Sequence, residues 1–217
     1  MGVLESLDSI DKSVSSLVHR AQVGMGEIII LPFALIFNPP GIAMLSVAMY
    51  NFLVFIEAQH AEKERPKNED QMQLLINYLL HVIVLVLVTT ITKRLGARPR
   101  PDDPTCCDKN ARNARYINLR HHETNCSMPS GDTAQSAIFV TFLSFYLPAF
   151  WQFLGGTKFS IKWVMCIAFA RIFYHCHYVG DTIIGAALGA SVAFVLHSMG
   201  IEQVSQIAAE TLIKALA

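Results

Sequence analysis

The chain has 217 residues, enough for one domain with a substantial core. It is 53% hydrophobic and only 16% charged, against about a quarter charged in soluble domains, and its mean hydropathy is +0.39. A formal net charge of zero excludes a nucleic-acid partner and a polybasic membrane anchor as the basis of function.

The first 25 residues read as an amphipathic segment. Val3, Leu7, Ile10, Val14 and Leu17 recur at helical spacing, with Asp8, Asp11 and Lys12 between them. Such a helix suits the plane of a membrane interface. Glu5, Asp8, Asp11 and Lys12 also interrupt the apolar start, so no cleavable signal peptide is expected. Residues 26–200 then carry apolar runs near the roughly 20 residues that cross a bilayer as a helix. Runs 28–37 and 41–56 are separated by Asn38-Pro39-Pro40, and Pro-Pro breaks a helix by removing donors and clashing with the preceding turn. Two short tilted spans are favoured there over one kinked span. Runs 72–92, 132–154, 161–176 and 182–199 follow, giving six spans and an all-α, polytopic membrane bundle. Gly185, Ala186, Ala187, Gly189 and Ala190 suit close helix contact in lipid. The last segment, 201–217, is amphipathic through Val204, Ile207, Ala208, Leu212 and Leu216. It fits either the interface or a berth on the bundle. The chain shows no internal repeat and no low-complexity segment.

Five cysteines are too few for a disulfide scaffold. Cys166 and Cys176 fall in apolar runs and are expected to be buried. Cys106, Cys107 and Cys126 share a polar loop, where one pair bridges in an oxidising lumen or all three stay free.

Three stretches carry chemistry. Lys93 is followed after six residues by Arg100-Pro101. Ser130-Gly131-Asp132 opens the 132–154 run. Arg171 is followed after five residues by His177, and three residues later comes Asp181. Counting crossings places all three at one membrane face. Transferring phosphoryl groups spreads negative charge over oxygens, so catalysis there is mostly positioning and electrostatic clamping. Lys93, Arg100 and Arg171 supply three cations. Ser130 supplies a hydroxyl, and the backbone at Gly131 begins a helix, a natural anion site. His177 is the candidate nucleophile, since a neutral imidazole can attack phosphorus and split one hard step into two. Asp181 is placed to hold its tautomer. Singly, each has a plainer reading. Lys93 and Arg100 would be interfacial cations, Asp181 a helix cap, Ser130-Gly131 a turn, and His81 a packing residue. His121, His122 and His175 have no defined partner in the sequence. No metal ligand set is needed, because the arginines neutralise charge, and no cofactor is expected.

Residues 94–120 contain seven Lys and Arg and residues 58–70 three, which taken at face value puts the site in the cytoplasm. That count is contaminated if Arg94, Arg98 or Arg100 binds phosphate. Asn125-Cys126-Ser127 is a glycosylation sequon on the site side, close against a span.

These motifs resemble the type 2 phosphatidic acid phosphatase family, the lipid phosphate phosphatases that share a core with vanadium haloperoxidases. The family pattern is Lys, six residues, Arg-Pro; Pro-Ser-Gly-His; and Ser-Arg, five residues, His, three residues, Asp. The chain has Lys93 to Arg100-Pro101, Pro129-Ser130-Gly131-Asp132, and Ala170-Arg171 through His177 to Asp181. The layout, with a short amphipathic N-terminus, is similar to the polyisoprenoid phosphate phosphatases. The resemblance implies a haloperoxidase-like helical core, a metal-independent phosphatase acting through a phosphohistidine on His177, and a lumenal or extracytoplasmic site in the endoplasmic reticulum or another endomembrane. It implies a lipid phosphate or isoprenoid diphosphate as substrate, with membrane lipids as surroundings.

Two positions depart from the pattern. Ala170 replaces a serine. Asp132 replaces the histidine that protonates the leaving group in the family. An ordinary aspartate, with a pKa of about 3.9, is a base at neutral pH. An active enzyme with Asp132 would favour good leaving groups, as in farnesyl or geranylgeranyl diphosphate. The alternatives are a catalytically impaired relative that binds lipid phosphate or scaffolds, and a head-group phosphotransferase like the sphingolipid synthases. Retention of Lys93, Arg100, Arg171, His177 and Asp181 argues against the first, and the presence of the Lys93–Arg100 motif argues against the second.

Overall fold

The computed structural model describes residues 3–37, 41, 42, 45, 46, 68–101, 115, 117–123 and 125–216. Eight α-helices and no strand occur among them. They are α1 (Val3–His19), α2 (Glu27–Leu35), α3 (Asn68–Gly96), α4 (Gly131–Tyr146), α5 (Pro148–Leu154), α6 (Gly156–Phe173), α7 (Val179–Ser198) and α8 (Ile201–Leu216). The all-α bundle expected from the sequence is the fold observed; where the sequence reading counts six spans, the described residues hold two helices, or three counting one bent pair, long and apolar enough to cross a membrane.

The centre is α4, which packs against α3, α6 and α7. Its Phe139, Val140, Phe142 and Leu143 meet Tyr78 and Val82 of α3 and Ile167 of α6. Its opposite side sets Ala134 and Ile138 against Leu85 and Ala193. The closest approach is with α7. A Cβ on Gly185 would lie 2.5 Å from the Ser130 carbonyl oxygen, and one on Gly189 would lie 2.0 Å from that of Ala134. Only hydrogen fits in either place, so the small-residue stripe brings the first turn of α4 onto the second and third turns of α7. That seam sets the site.

α3 and α7 are each long and apolar enough to cross a membrane: the apolar part of α3 runs Gln71–Gly96, and α7 qualifies whole. α5 and α6 pass together as a span broken by 71°. The sequence run 132–154 is therefore two pieces. α4 ends at Tyr146, and Pro148 opens α5 at a position that needs no N–H. Gly155 ends α5 in the left-handed conformation, φ 112°, that glycine adopts without steric cost. α2 covers most of run 28–37, while nearly all of run 41–56 and the loop with Cys106 and Cys107 lie outside the described residues. Cys126 is a free thiol. Cys176 is buried as expected, but Cys166 is exposed, because it sits on the outward flank of α6.

Both terminal helices turn their apolar stripe outward. On α1, Leu7, Ile10, Val14 and Leu17 are exposed while Ser15 and His19 are buried. α8 packs on α3 with Ser205 and Ala209 inward and Val204, Ile207 and Leu212 outward. The inner stripe of α1 is thus the polar one. Arg115 ties down its C-terminal end, donating to the carbonyls of His19 (2.9 Å) and Ala21 (2.7 Å). His81 is a buried packing residue of α3, its Nδ1 2.8 Å from the Asn77 carbonyl.

Candidate active site

The three motif stretches converge at the ends of α3, α6 and the starts of α4 and α7. The α4–α7 seam fixes two of them against each other, since Ser130 N–H donates to the Asp181 carbonyl at 3.0 Å. The turn after α6 carries His175, Cys176 and His177, all buried, directly into α7. His175 stacks on His19 of α1 with ring centroids 4.5 Å apart.

His177 is 1% exposed. Its Nδ1 faces Asp181 Oδ2 at 3.7 Å, and its Nε2 lies 3.3 Å from Arg100 Nη1. The first separation is longer than a hydrogen bond, a looseness common in catalytic sites without substrate. Burial, foremost, together with the charges of Arg100 and Arg171, pushes the imidazole down to about 4 against the opposing pull of Asp181. The ring is therefore neutral at physiological pH, as a nucleophile requires.

Asp181 is fully buried and closes the start of α7. Its Oδ2 accepts from Tyr178 N–H at 2.9 Å and from the Ser127 hydroxyl, and its Oδ1 takes Arg98 Nη1 at 2.7 Å. It is a helix cap and the partner of His177 at once. Arg98 is no phosphate ligand here. It joins Asp181 to α1 through Asp8 (2.6 Å) and Asp11 (2.8 Å), and lies over the Tyr178 ring. α1 adds two contacts of its own, with Asp11 accepting from Gly180 N–H and Ser15 from Val179 N–H. Its polar stripe thus caps the first turn of α7.

On the other side of His177 lie the cations. Arg100 is buried, donating to the Asn125 carbonyl (2.7 Å) and the Cys176 carbonyl (2.6 Å). Arg171, also buried, donates to the Ala34 carbonyl at 3.1 Å, and its Nε lies 3.1 Å from Asp132 Oδ2. Lys93 Nζ reaches Asn125 Oδ1 at 3.2 Å. Ser130 is the N-cap of α4, its hydroxyl accepting from Thr133 N–H at 3.4 Å. With that oxygen engaged, the turn offers an anion its backbone N–H groups at the helix N-terminus. A Cβ on Gly131 would meet nothing within 4 Å, so the approach is open. Asp132, in the place of the family's acid, is held as an ion-pair partner of Arg171.

Glu123 is the residue that sequence reasoning missed. Its carboxylate bridges Arg100 Nη2, at 2.7 Å, and Arg171 Nη2. Burial alone would raise its pKa, but Arg171 and Arg100 overcome that and hold it at about 2. Nothing in the motif spacing marks it. The neighbouring sequon has an inward role, since Asn125 Oδ1 accepts from both Lys93 and Arg100. His121 and His122 are exposed on a short 3-10 turn.

The family model described as the PAP2 superfamily matches residues 74–204, more than half of the chain. A comparison with curated proteins gives no match. Among solved structures, the chain is similar to the first transmembrane PAP2-type phosphatidylglycerolphosphate phosphatase from Bacillus subtilis. The TM-score is 0.62 at 18% identity, covering 89% of this chain and 86% of that one. LpxE from Aquifex aeolicus gives a TM-score of 0.54 at 18% identity, over 84% and 92% respectively. At such identity the structural likeness concerns the fold, and the family match carries the rest. The chain belongs to the PAP2 superfamily and is a phosphatase, a hydrolase of phosphoric esters.

Proposed function

We propose that the chain is a lipid phosphate phosphatase working through a phosphohistidine on His177, with isoprenoid diphosphates as preferred substrates. One observation carries the reading: a neutral imidazole whose Nε2 faces a pocket where two buried guanidiniums converge on a single anion position. A terminal phosphoryl group placed there is clamped by Arg100 and Arg171, with Lys93 and the first turn of α4 beside it. Nε2 attacks phosphorus, the P–N bond forms, and the bond to the leaving oxygen breaks with its electron pair on that oxygen. Asp181 stabilises the charge that develops on the ring. Water then attacks the phosphohistidine, releasing inorganic phosphate and restoring the imidazole.

Asp132 sets the substrate preference. Its carboxylate is engaged with Arg171 Nε at 3.1 Å and is not placed to serve a departing alkoxide as an acid. An isoprenyl monophosphate leaving from a diphosphate needs none. We place the site at the lumenal or extracytoplasmic face of an endomembrane such as the endoplasmic reticulum, on the family resemblance. The structure weakens the opposing charge count, because Arg98, Arg100 and Arg115 are internal ligands and not loop-surface charge.

The test is phosphate release by the full chain in phosphatidylcholine nanodiscs from farnesyl diphosphate, farnesyl monophosphate and phosphatidate. Farnesyl diphosphate is expected to turn over fastest, and His177→Ala to abolish release and phosphate labelling of the protein. Faster cleavage of phosphatidate would defeat the leaving-group argument. Release retained in His177→Ala would defeat the phosphohistidine.

A further inference from the structure

The phosphate position contains a carboxylate that belongs to the chain. Glu123 spans Arg100 and Arg171 as a phosphate would, and its two oxygens take one guanidinium each. The segment around it is fastened from both sides. Arg120 Nη1 donates to the Glu123 carbonyl at 2.6 Å, and Glu123 N–H donates to the Arg120 carbonyl at 3.2 Å. Two residues on, Asn125 satisfies Lys93 and further N–H groups of Arg100. All three cations of the pocket are thus engaged by Glu123 and Asn125. The Glu123 side chain is 22% exposed, so it has a way out toward solvent.

The geometry points to Glu123 as a specificity-determining residue: a resident anion that admits terminal phosphates and turns away phosphodiester head groups. The inference rests on reading Arg100 and Arg171 as the phosphate ligands. The site opens beside a bilayer whose phospholipids carry phosphodiesters, each with one negative charge. Without Glu123, Arg100 and the Nη2 side of Arg171 would be open to any of them, Asp132 holding only Arg171 Nε. Glu123 carries the same single charge and is tethered, so it competes at an effective concentration on the order of millimolar or more. A phosphodiester displacing it gains no charge. A terminal phosphate, with a charge of roughly −1.5 to −2 at neutral pH, gains up to one more, and a diphosphate gains further. Discrimination then comes from the repelling element as much as from the attracting one.

The test compares wild type with Glu123→Gln, which keeps shape and removes charge, and with Glu123→Asp, which keeps charge but is too short to span both guanidiniums. Each full-length protein, in phosphatidylcholine nanodiscs, is titrated with inorganic phosphate and with dimethyl phosphate, a monoanionic diester. The readouts are calorimetric binding and the thermal unfolding midpoint. Wild type is expected to bind phosphate and ignore dimethyl phosphate. Glu123→Gln is expected to unfold earlier without ligand, to bind phosphate about tenfold more tightly because the pocket is no longer self-occupied, and to bind dimethyl phosphate. Glu123→Asp moves the same way by less, and decides the matter should the Gln variant not fold. Phosphate binding unchanged or weakened in the variants, or dimethyl phosphate still ignored, would overturn the role of Glu123 while leaving the phosphate site standing. Phosphate binding absent from wild type and variants alike would overturn the site itself, and this inference with it.

Discussion

Arg98→Met separates a positioning role from a binding one. Arg98 is the cation on Asp181 Oδ1, and Asp181 has no exposure at all. Its other partners there, Ser127 and Tyr178 N–H, are neutral. Removing one member of a buried charge pair costs about 3–5 kcal/mol. The pairs with Asp8 and Asp11, whose side chains are 41% and 15% exposed, add at most about 1 kcal/mol each. The contact with the Tyr178 ring adds about 1 kcal/mol. Stability should therefore fall by about 3–5 kcal/mol from the Asp181 pair, with up to about 3 kcal/mol more from the other contacts. Asp181 would then swing or take up a proton, and His177 would lose its orienting partner. A misplacement of about 1 Å at a reacting group costs on the order of 100-fold in rate. The expected kinetic signature is a kcat lowered by about that factor with KM within about twofold of wild type, because Arg98 does not face the phosphate pocket. Initial rates of phosphate release in nanodiscs measure both, with Arg98→Lys expected to recover part of kcat. A KM raised tenfold or more with kcat retained would refute the reasoning, since that is the signature of a lost phosphate ligand.

The pH dependence follows from His177. Its folded pKa, about 4, lies below the ordinary 6.5, so the acid limb of kcat/KM belonging to this group should fall near pH 4. The sign for stability is the same: the unfolded chain binds the proton more tightly, so the contribution is complete above 6.5 and is lost as pH drops toward 4, readable from unfolding midpoints across that window. Asp132→His should restore an acid and raise kcat on phosphatidate by roughly 100-fold or more while changing farnesyl diphosphate turnover little; equal gains on both substrates would remove leaving-group basicity as the explanation. Gly189→Ala would put a methyl 2.0 Å from the Ala134 carbonyl. The α4–α7 seam must then open, lowering stability by about 1–3 kcal/mol and kcat with it, as unfolding and rate measurements on the same sample would show.

The sequence made the bundle legible because lipid leaves few options for a backbone, and long apolar runs such as that of α3 declare themselves. Its limits were at breaks. Pro148 divides what reads as one run with α4, and the 71° bend that joins α5 to α6 at Gly155 appears only when packing is known. The motif residues were legible through spacing, and the α4–α7 glycines explain why that spacing closes in space. Glu123 and Arg98 were not legible, for one physical reason. Each acts by pairing with a charge far along the chain, Arg171 for Glu123 and Asp181 for Arg98, and no periodicity links such positions. The sequence stripe of α1 was visible, but amphipathicity does not say which side meets protein.

That side has a consequence for handling the protein. The helix whose Leu7, Ile10, Val14 and Leu17 face outward is the one whose Asp11 and Ser15 grip the start of α7. Its exposed apolar face and its grip on the turn that carries His177 belong to one helix, so what wets the first bears on the second. A detergent that wets the outer stripe differently from lipid is therefore expected to shift the alignment of His177, which rates compared in the two media would show. For this protein, the choice of solubilising medium becomes a variable of the chemistry, to be reported beside pH and temperature.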